Sequence, residues 1–208
     1  MEIILGLLAL ELGIVSETTF VAVVFGAVFS SIIVGPLFAW TIRKRRLFDI
    51  GSFLRSDLVV ANVKAADRWQ AIEELASLAA ARRNDCDAAT TARAVHDREE
   101  LMSTGLEKGM AVPHARLKGI SSPCIVFGRS VSGIDWDARD GGLTHFIFLI
   151  LTPEEEVGMQ VQILSGLAKF ILQDHVQSSI FRMNESDKMF QFLHDSLQPR
   201  GELAPPTR

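Results

Sequence analysis

Hydrophobic residues are distributed unevenly along this chain. Roughly the first forty residues are almost entirely apolar, whereas the rest alternates apolar and polar positions as a globular domain does. The stretch Thr18 to Trp40 carries no charge. A helix of about 23 residues is long enough to cross a bilayer core of about 30 Å. This stretch therefore predicts a transmembrane helix, with a buried core helix of a soluble protein as the alternative.

A shorter apolar segment, Ile3 to Val15, precedes that helix and is interrupted by Glu11. A helix of about 13 residues reaches only about 20 Å, so this segment predicts part of a transmembrane helix. It lacks the basic start of a signal peptide. Glu11 is either a proton carrier or an interfacial residue near a helix end, and the second interpretation is favoured. The basic run Arg43-Lys44-Arg45-Arg46 places the following residues in the cytoplasm.

The remainder of the chain predicts a mixed α/β layered domain of about 140 residues. The run His145 to Leu151 is almost continuously apolar, which predicts a central strand. Gly133 to Trp136 and Gly141-Gly142 predict turns. Periodicity and capping residues predict strands over 58–63, 110–112, 125–131 and 145–151, and helices over 67–83, 87–101, 158–172, 176–182 and 185–197.

These patterns divide the chain into four parts. We expect a membrane segment over 1–42, a basic juxtamembrane linker over 43–56, the α/β domain over 57–198 and a disordered, proline-rich tail over 199–208. Within the linker, Leu47 to Leu54 either lies flat on the inner leaflet or is a plain connection. The pattern leaves both interpretations open.

Composition argues against several classes of function. The net charge of −4 gives no electrostatic support for a nucleic-acid partner. Cys86 and Cys124 are far apart and form no CxxC pair, so we expect no metal site and no disulfide framework. No motif predicts a cofactor.

The most informative residue is His114. A short strand, Met110 to Val112, runs into Pro113, which fixes its own φ and biases the preceding residue toward extended geometry. We therefore expect the imidazole to be held by a stiff backbone at the rim of a sheet. That placement suits a nucleophile. His145 begins the predicted central strand and is interpreted as structural, whereas His96, His175 and His194 lie in no motif and are interpreted as ordinary residues.

The motif around His114 has a family resemblance. Arg98-Glu99 followed by Ser103-Thr104-Gly105 and ending in Ala111-Val112-Pro113-His114 resembles the fructose/mannitol/nitrogen-type enzyme IIA domain of the bacterial phosphoenolpyruvate-dependent phosphotransferase system. The resemblance runs from about Asp57 to Leu197. It implies that His114 accepts a phosphoryl group from the carrier HPr or a homologue. It also implies that Arg98 binds this group and that Thr104 donates a hydrogen bond to it.

Two positions depart from the family pattern. Gln160 stands where the family usually has a second histidine, and we expect its amide to orient a phosphoryl group by hydrogen bonding, with weaker electrostatic help because it never changes charge with pH. Glu107 replaces a small residue, so its carboxylate is expected to repel a phosphoryl group unless it points to solvent. It is also expected to strain the backbone if this position needs a positive φ. Arg116 is expected to be a surface residue. These departures fit slow, signalling-grade phosphorylation or a site that has lost it.

The N-terminal segment has a resemblance of its own. The string GLLALELGIVSETTFVAVVFGAVFSSIIVGPL resembles the last one and a half transmembrane helices of the monovalent cation/proton antiporter family. That family binds ions through acidic residues in earlier helices, which are not in this sequence. We therefore expect no ion transport by this chain alone.

Three functions follow from these resemblances. The chain is predicted to be a phosphoryl-accepting regulatory domain on a cation/proton antiporter-like protein of the bacterial inner membrane, with its C-terminal domain in the cytoplasm. Alternatively it is a sugar-transport component that passes phosphate to an enzyme IIB, or a phosphorylation-silent binding module. Enzymatic activity as a phosphohistidine phosphotransferase is expected only under the first two.

Overall fold

The computed structural model describes residues 2–43, 49–171 and 173–198, and the chain divides into two compact units, 1–48 and 49–208. The first unit contains helices α1 (Glu2–Glu11) and α2 (Glu17–Arg43). In α2 the stretch Glu17–Leu37 has a mean hydropathy of 2.3 and no buried part. Among the described residues it is the one helix long and apolar enough to cross a membrane. Since large side chains such as Phe25 and Phe29 are exposed, α2 is not packed as a core helix within this structure.

The second unit is a six-stranded mixed sheet covered by helices. Its strands run in the order β1-β5-β6-β3-β2, with β4 also beside β6. The strands are β1 (Leu54–Val60), β2 (Gly105–Leu106), β3 (Met110–Ala111), β4 (His114–Leu117), β5 (Cys124–Ile134) and β6 (Thr144–Pro153). The helices are α3 (Arg68–Arg82), α4 (Ala88–Leu101), α5 (Val157–Ile171), α6 (Asp174–Phe181) and α7 (Ser186–Leu197). The predicted mixed α/β layered fold is confirmed.

Strand β6 is the centre of the sheet, as its continuous apolar run predicts. It pairs antiparallel with β5 and parallel with β3 and β4. Its alternate side chains face opposite layers because successive side chains point to opposite sides of a strand. Ile147 and Leu149 join the core cluster formed with α3 and α4. Phe148 packs on Phe170 of α5, with ring centroids 6.3 Å apart.

The two helices that precede the site begin where the sequence predicts. Asp67 accepts a hydrogen bond from the Gln70 backbone N–H at 2.9 Å, and Asp87 accepts one from the Thr90 N–H at 2.8 Å. Each carboxylate satisfies one of the free N–H groups at the start of a helix, which fixes where α3 and α4 begin.

The predicted turn at Gly133 to Trp136 is wrong in part. Strand β5 continues through Gly133 to Ile134, with an irregular register after Arg129. Gly133 has φ +78, and a Cβ there would lie 2.7 Å from the Leu143 Cβ. Glycine therefore marks a bulge in a strand at this point, where two strands approach closely. Trp136, expected in the turn, is fully buried.

The boundary between the expected linker and the domain also differs from the structure. Strand β1 begins at Leu54, so it overlaps the expected linker 43–56 and starts earlier than the predicted strand over 58–63. Ile50 is buried at 6% exposure and precedes a short 3-10 turn, Gly51–Phe53. Ile50, Gly51 and Leu54 are buried in the second unit, so its packed core begins within the expected linker. Residues 44–48 and the expected tail 199–208 lie outside the described residues.

Candidate functional site

His114 lies within an interrupted strand. Strands β3 and β4 both run parallel to β6, pairing Ala111 with Ile147 and His114 with Ile150, so the register continues across the break without a shift. The interruption falls at Val112 and Pro113, since proline has no N–H to donate. Among the described strands β4 pairs with β6 alone, so His114 lies on an edge strand, as expected of a residue at the rim of the sheet. Its strand runs beside the C-terminal end of β6 and has α4 next to it.

The ring of His114 is fixed in one tautomer. Its Nδ1 lies 2.8 Å from the Val112 carbonyl oxygen. Because a carbonyl only accepts, Nδ1 carries the proton and Nε2 keeps its lone pair. The residue is 9% exposed. Burial lowers the pKa of His114 below its usual value, and the nearby Arg98 cation acts in the same direction, against the Val112 hydrogen bond and the Glu99 charge. The ring is therefore neutral near pH 7, as a nitrogen nucleophile must be.

A cavity of about 390 Å³ lies at His114. It brings together three of the four residues that the sequence predicts for the site: His114 from β4, Arg98 from α4 and Gln160 from α5. The other residues that line it are Ala94, Asp97, Leu101, Ala115, Arg116 and Glu154. An imidazole, two arginines and a glutamine thus line one cavity.

Arg98 is anchored and still available. One of its terminal nitrogens, Nη1, donates to the Met102 carbonyl at 3.1 Å, just beyond the end of α4. A guanidinium has five N–H donors in a planar fork, so this bond leaves others for a ligand in the cavity. Two carboxylates share the cavity, and Glu154 is also 3.8 Å from the Lys118 ammonium.

Thr104, the fourth predicted residue, does not line this cavity. It is 7% exposed, and its hydroxyl donates to a carboxylate oxygen of Glu99 at 2.5 Å. Its backbone N–H donates to the other Glu99 oxygen at 2.8 Å. The structure thus places the Thr104 hydroxyl in the interior, where it holds the loop before β2 against α4.

Glu99 is a buried residue that the sequence interpretation passed over. It is 2% exposed and accepts a third hydrogen bond, at 3.0 Å, from the indole N–H of Trp136. The available signal was its spacing: Glu99 follows Ala92 and Val95 on the apolar face of α4. A carboxylate on such a face needs several donors, because an unpaired buried charge is costly.

Glu99 is connected to His114 through the backbone. It holds Thr104, and the Thr104 carbonyl accepts from the Val112 N–H at 3.1 Å. The Val112 carbonyl in turn accepts from the His114 ring. The carbonyl that sets the tautomer is thus fixed by a chain of contacts that ends on a buried carboxylate.

The strain expected at Glu107 is not found. In the hairpin between β2 and β3 the left-handed residues are Lys108, with φ +64, and Gly109, with φ +73. Glu107 is exposed and does not line the cavity, so its carboxylate points to solvent. Asp140 holds the hairpin by accepting from the Lys108 N–H at 2.9 Å.

A larger cavity, of about 740 Å³, lies at the other end of β6 beside His145. The Nδ1 of His145 donates to the Ser130 carbonyl at 2.9 Å, and its ring lies edge-on to Phe181. These contacts suit a structural histidine. Among the described residues, no group of three or more histidine, cysteine or acidic side chains is placed to hold a metal ion.

Sequence comparison agrees with the geometry. The model of the family described as "Phosphoenolpyruvate-dependent sugar phosphotransferase system, EIIA 2" matches residues 52–196. The chain is 34% identical over 134 residues to the PTS system fructose-specific EIIA component of Haloferax volcanii, covering 64% of this chain and 86% of that protein. It is 28% identical over 136 residues to the nitrogen regulatory protein of Pseudomonas aeruginosa, covering 65% and 88% respectively. It spans only 23% of the PTS system fructose-specific EIIABC component of Bacillus subtilis, at 26% identity over 147 residues.

Comparison with solved structures gives the same result. The crystal structure of nitrogen regulatory protein IIA-Ntr from Neisseria meningitidis matches with a TM-score of 0.65 and 28% identity, covering 69% of this chain and 98% of that one. The fold is also that of IIA mannitol from Escherichia coli, with a TM-score of 0.58 at 18% identity, covering 67% of this chain and 97% of that one. The chain therefore belongs to the EIIA type 2 family of the phosphoenolpyruvate-dependent sugar phosphotransferase system.

Proposed function

We propose that His114 accepts a phosphoryl group from an HPr-type phosphocarrier and that its phosphorylation state regulates a cation/proton antiporter-like membrane protein. The observation that carries the first half is the neutral, tautomer-fixed imidazole of His114 in one cavity with Arg98. Membership of the EIIA type 2 family supports phosphoryl transfer as the reaction of this site. The second half rests on the apolar helix α2 and on the resemblance of the N-terminal segment to antiporter helices.

The transfer exchanges one phosphorus–nitrogen bond for another. The lone pair of His114 Nε2 attacks the phosphorus, while the bond from phosphorus to the carrier's ring nitrogen breaks and its electron pair returns to that ring. The Nδ1 proton of His114 stays on its hydrogen bond to Val112. No proton has to move, so the protein's contribution is position and charge.

Arg98 and Gln160 supply that contribution in different ways. The guanidinium of Arg98 matches the charge that spreads over the phosphoryl oxygens and binds two of them at once. The Gln160 amide donates a hydrogen bond without adding charge. Thr104 does not contact the phosphoryl group in this proposal. Its carbonyl accepts from the Val112 N–H and so helps to position the residue that binds the His114 ring.

The second half of the proposal concerns how the chain is arranged across the membrane. The apolar helix spans the inner membrane of a bacterium, and the basic run that follows it stays on the cytoplasmic side. This places the EIIA domain where a soluble phosphocarrier reaches it. Similarity to nitrogen regulatory proteins supports a regulatory role for the domain.

A second candidate is a role in sugar transport. The fructose-specific EIIA component of Haloferax volcanii is 34% identical to this chain. In this alternative His114 passes its phosphoryl group onward to an EIIB protein. The departure at Gln160 favours a third outcome, a domain that binds its partner without phosphorylation.

Labelling the whole chain in detergent or nanodiscs tests these functions. The chain is incubated with labelled phosphoenolpyruvate, enzyme I and HPr or a nitrogen-type HPr homologue. We expect an acid-labile, base-stable label on the wild type and on the control variant His194→Ala, and none on His114→Ala. Absence of label on the wild type with every carrier would overturn phosphoryl acceptance and leave the silent binding module.

Two further measurements separate the roles of a labelled protein. Rapid loss of label to an added EIIB protein would indicate sugar transport. For regulation, cation-induced proton movement is followed with a pH-sensitive dye in inverted vesicles that contain the chain and its membrane partner. We expect the exchange rate to change on phosphorylation in the wild type and to stay constant in His114→Ala. An exchange rate unaffected by phosphorylation would contradict antiporter control.

A further inference from the structure

We propose that Arg116 is a second phosphoryl ligand of this site, acting together with Arg98 from a different element of the fold. The inference rests on the proposed phosphorylation of His114. It revises the expectation that Arg116 is an ordinary surface residue, because the structure places Arg116 in the lining of the His114 cavity.

The register of β4 brings Arg116 to the nucleophile. His114 pairs with Ile150 and Arg116 with Thr152, so the two lie two residues apart on one strand. Residues i and i+2 of a strand share a face, and their Cα atoms are about 6.5 Å apart. An arginine side chain is long enough to bring its guanidinium over a group attached to a ring at that distance. The alternate residues, Ala115 and Leu117, join the hydrophobic core.

The guanidinium of Arg116 has donors to spare. The residue is exposed, and among the described residues it makes no hydrogen bond and no ion pair. Arg83, by comparison, is held by Asp85 at 2.7 Å, and Arg129 donates to several backbone carbonyls, the Ala61 carbonyl among them at 2.9 Å. The guanidinium of Arg116 is therefore not committed to a structural contact, and its place in the cavity lining distinguishes it from an exposed arginine such as Arg93.

The charge balance of the cavity shows what Arg116 contributes. Its lining holds two guanidiniums, from Arg98 and Arg116, and two carboxylates, from Asp97 and Glu154. Without Arg116 a single cation would face both carboxylates and an incoming phosphoryl group with about two negative charges. Gln160 adds no charge. The cavity thus needs a second cation to receive a dianion, and Arg116 is placed to be that cation.

The test compares phosphoryl transfer in arginine variants. The initial rate of labelling by HPr is measured for the wild type, Arg116→Ala, Arg116→Lys and the control Arg93→Ala, an exposed arginine on α4 that does not line the cavity. Loss of one charge-assisted ligand is expected to slow Arg116→Ala roughly tenfold. Arg116→Lys keeps the charge but not the fork, so an intermediate rate is expected. Arg93→Ala is expected to stay within about twofold of the wild type, as distant surface charges do.

A binding measurement separates this inference from the proposed function. Inorganic phosphate is titrated into each unphosphorylated variant while the His114 ring signals are followed by NMR. We expect weaker phosphate binding in Arg116→Ala and in Arg98→Ala than in the control. Equal labelling rates and equal phosphate affinities in Arg116→Ala and wild type would overturn the role of Arg116 alone. An unlabelled wild type would overturn the proposed function, and with it the role of Arg116.

Discussion

Two histidines of this domain, His114 and His145, have the same first contact and different surroundings. Each donates from Nδ1 to a backbone carbonyl, at 2.8 Å for His114 and 2.9 Å for His145. The second nitrogen of His145 lies against Gly133, where a Cβ would be only 3.2 Å from it. Both residues line cavities, His145 the larger one, but the Nε2 of His114 shares its cavity with Arg98, Arg116 and Gln160. A fixed tautomer is therefore common to both rings, and the surroundings of Nε2 distinguish a candidate nucleophile from a packing residue.

The largest expected effect tests that distinction directly. His114→Ala is expected to lose all phosphoryl label, whereas His145→Ala is expected to keep it, because Nε2 of His145 lies close to Gly133. Labelling by enzyme I and HPr measures both. His145→Ala is expected to lower the melting temperature, since it removes a ring packed on Phe181. Full label on His114→Ala together with loss of label on His145→Ala would reverse the assignment of the two rings.

The two carbonyls that accept from these rings belong to Val112, for His114, and to Ser130, for His145. Glu99 supports only the first, through Thr104. Glu99→Ala leaves the Thr104 N–H, the Thr104 hydroxyl and the Trp136 indole N–H without their buried acceptor. We expect it to lower the free energy of unfolding by about 3 kcal/mol, measured by denaturant titration. Labelling of His114 is expected to slow as well, since Val112 loses its ordered neighbour.

A control keeps this second prediction specific. Glu100→Ala changes the adjacent exposed residue on α4 and is expected to change stability by less than about 0.5 kcal/mol. In NMR spectra Glu99→Ala is expected to shift the ring signals of His114 more than those of His145. Equal shifts in both rings would indicate that the variant disturbs the whole domain and that Glu99 does not act specifically on the position of His114.

The third prediction alters the surroundings of His145. Gly133→Ala adds a Cβ 2.9 Å from the His145 Cε1 at a φ of +78. Crowding and the left-handed backbone together are expected to cost about 2 kcal/mol of stability. Labelling of His114 is expected to be unchanged in the protein that remains folded. Gly119→Ala is the matched control: its φ is +81 but a Cβ there meets nothing within 4 Å, so it reports the backbone cost alone.

The smallest effect is a pH dependence. Because burial lowers the pKa of His114, its ring is expected to stay neutral, and labelling to persist, below the pH at which an ordinary imidazole protonates near 6.5. An NMR titration measures this pKa. The unfolded chain then binds more protons than the folded one, so this residue makes stability fall as pH drops below about 6.5. His114→Ala is expected to remove that contribution. A His114 pKa at or above 6.5 would contradict it.

What the sequence predicted correctly is mostly local. The starts of α3 and α4 follow from Asp67 and Asp87, each of which caps its own helix. The central position of β6 follows from its continuous apolar run, which is typical of a strand buried on both faces of a sheet. Such features depend on neighbours in the sequence, so a pattern of residue types is enough to reveal them.

What the sequence did not predict depends on distant contacts. Strand β4 is four residues long and is defined by pairing with β6, so its pattern alone did not indicate a strand. Gly133 has the composition of a turn but lies in a bulge set by Leu143 and His145. Thr104 was expected to face a phosphoryl group, but its hydroxyl and its N–H donate to the buried Glu99 carboxylate. The convergence of His114, Arg98 and Gln160 on one cavity was indicated by the family motif rather than by any local periodicity.

The uninterrupted register across Val112 and Pro113 has a consequence for how this site can change. Side chains alternate between the two faces of a strand, so inserting or deleting one residue in that short bridge would turn the imidazole over to the side of the sheet that faces α3. The arginine two residues later would turn with it. A change of length there is therefore expected to remove the ring and the cation from the cavity together, whereas a substitution of one neighbouring residue leaves both on the same face.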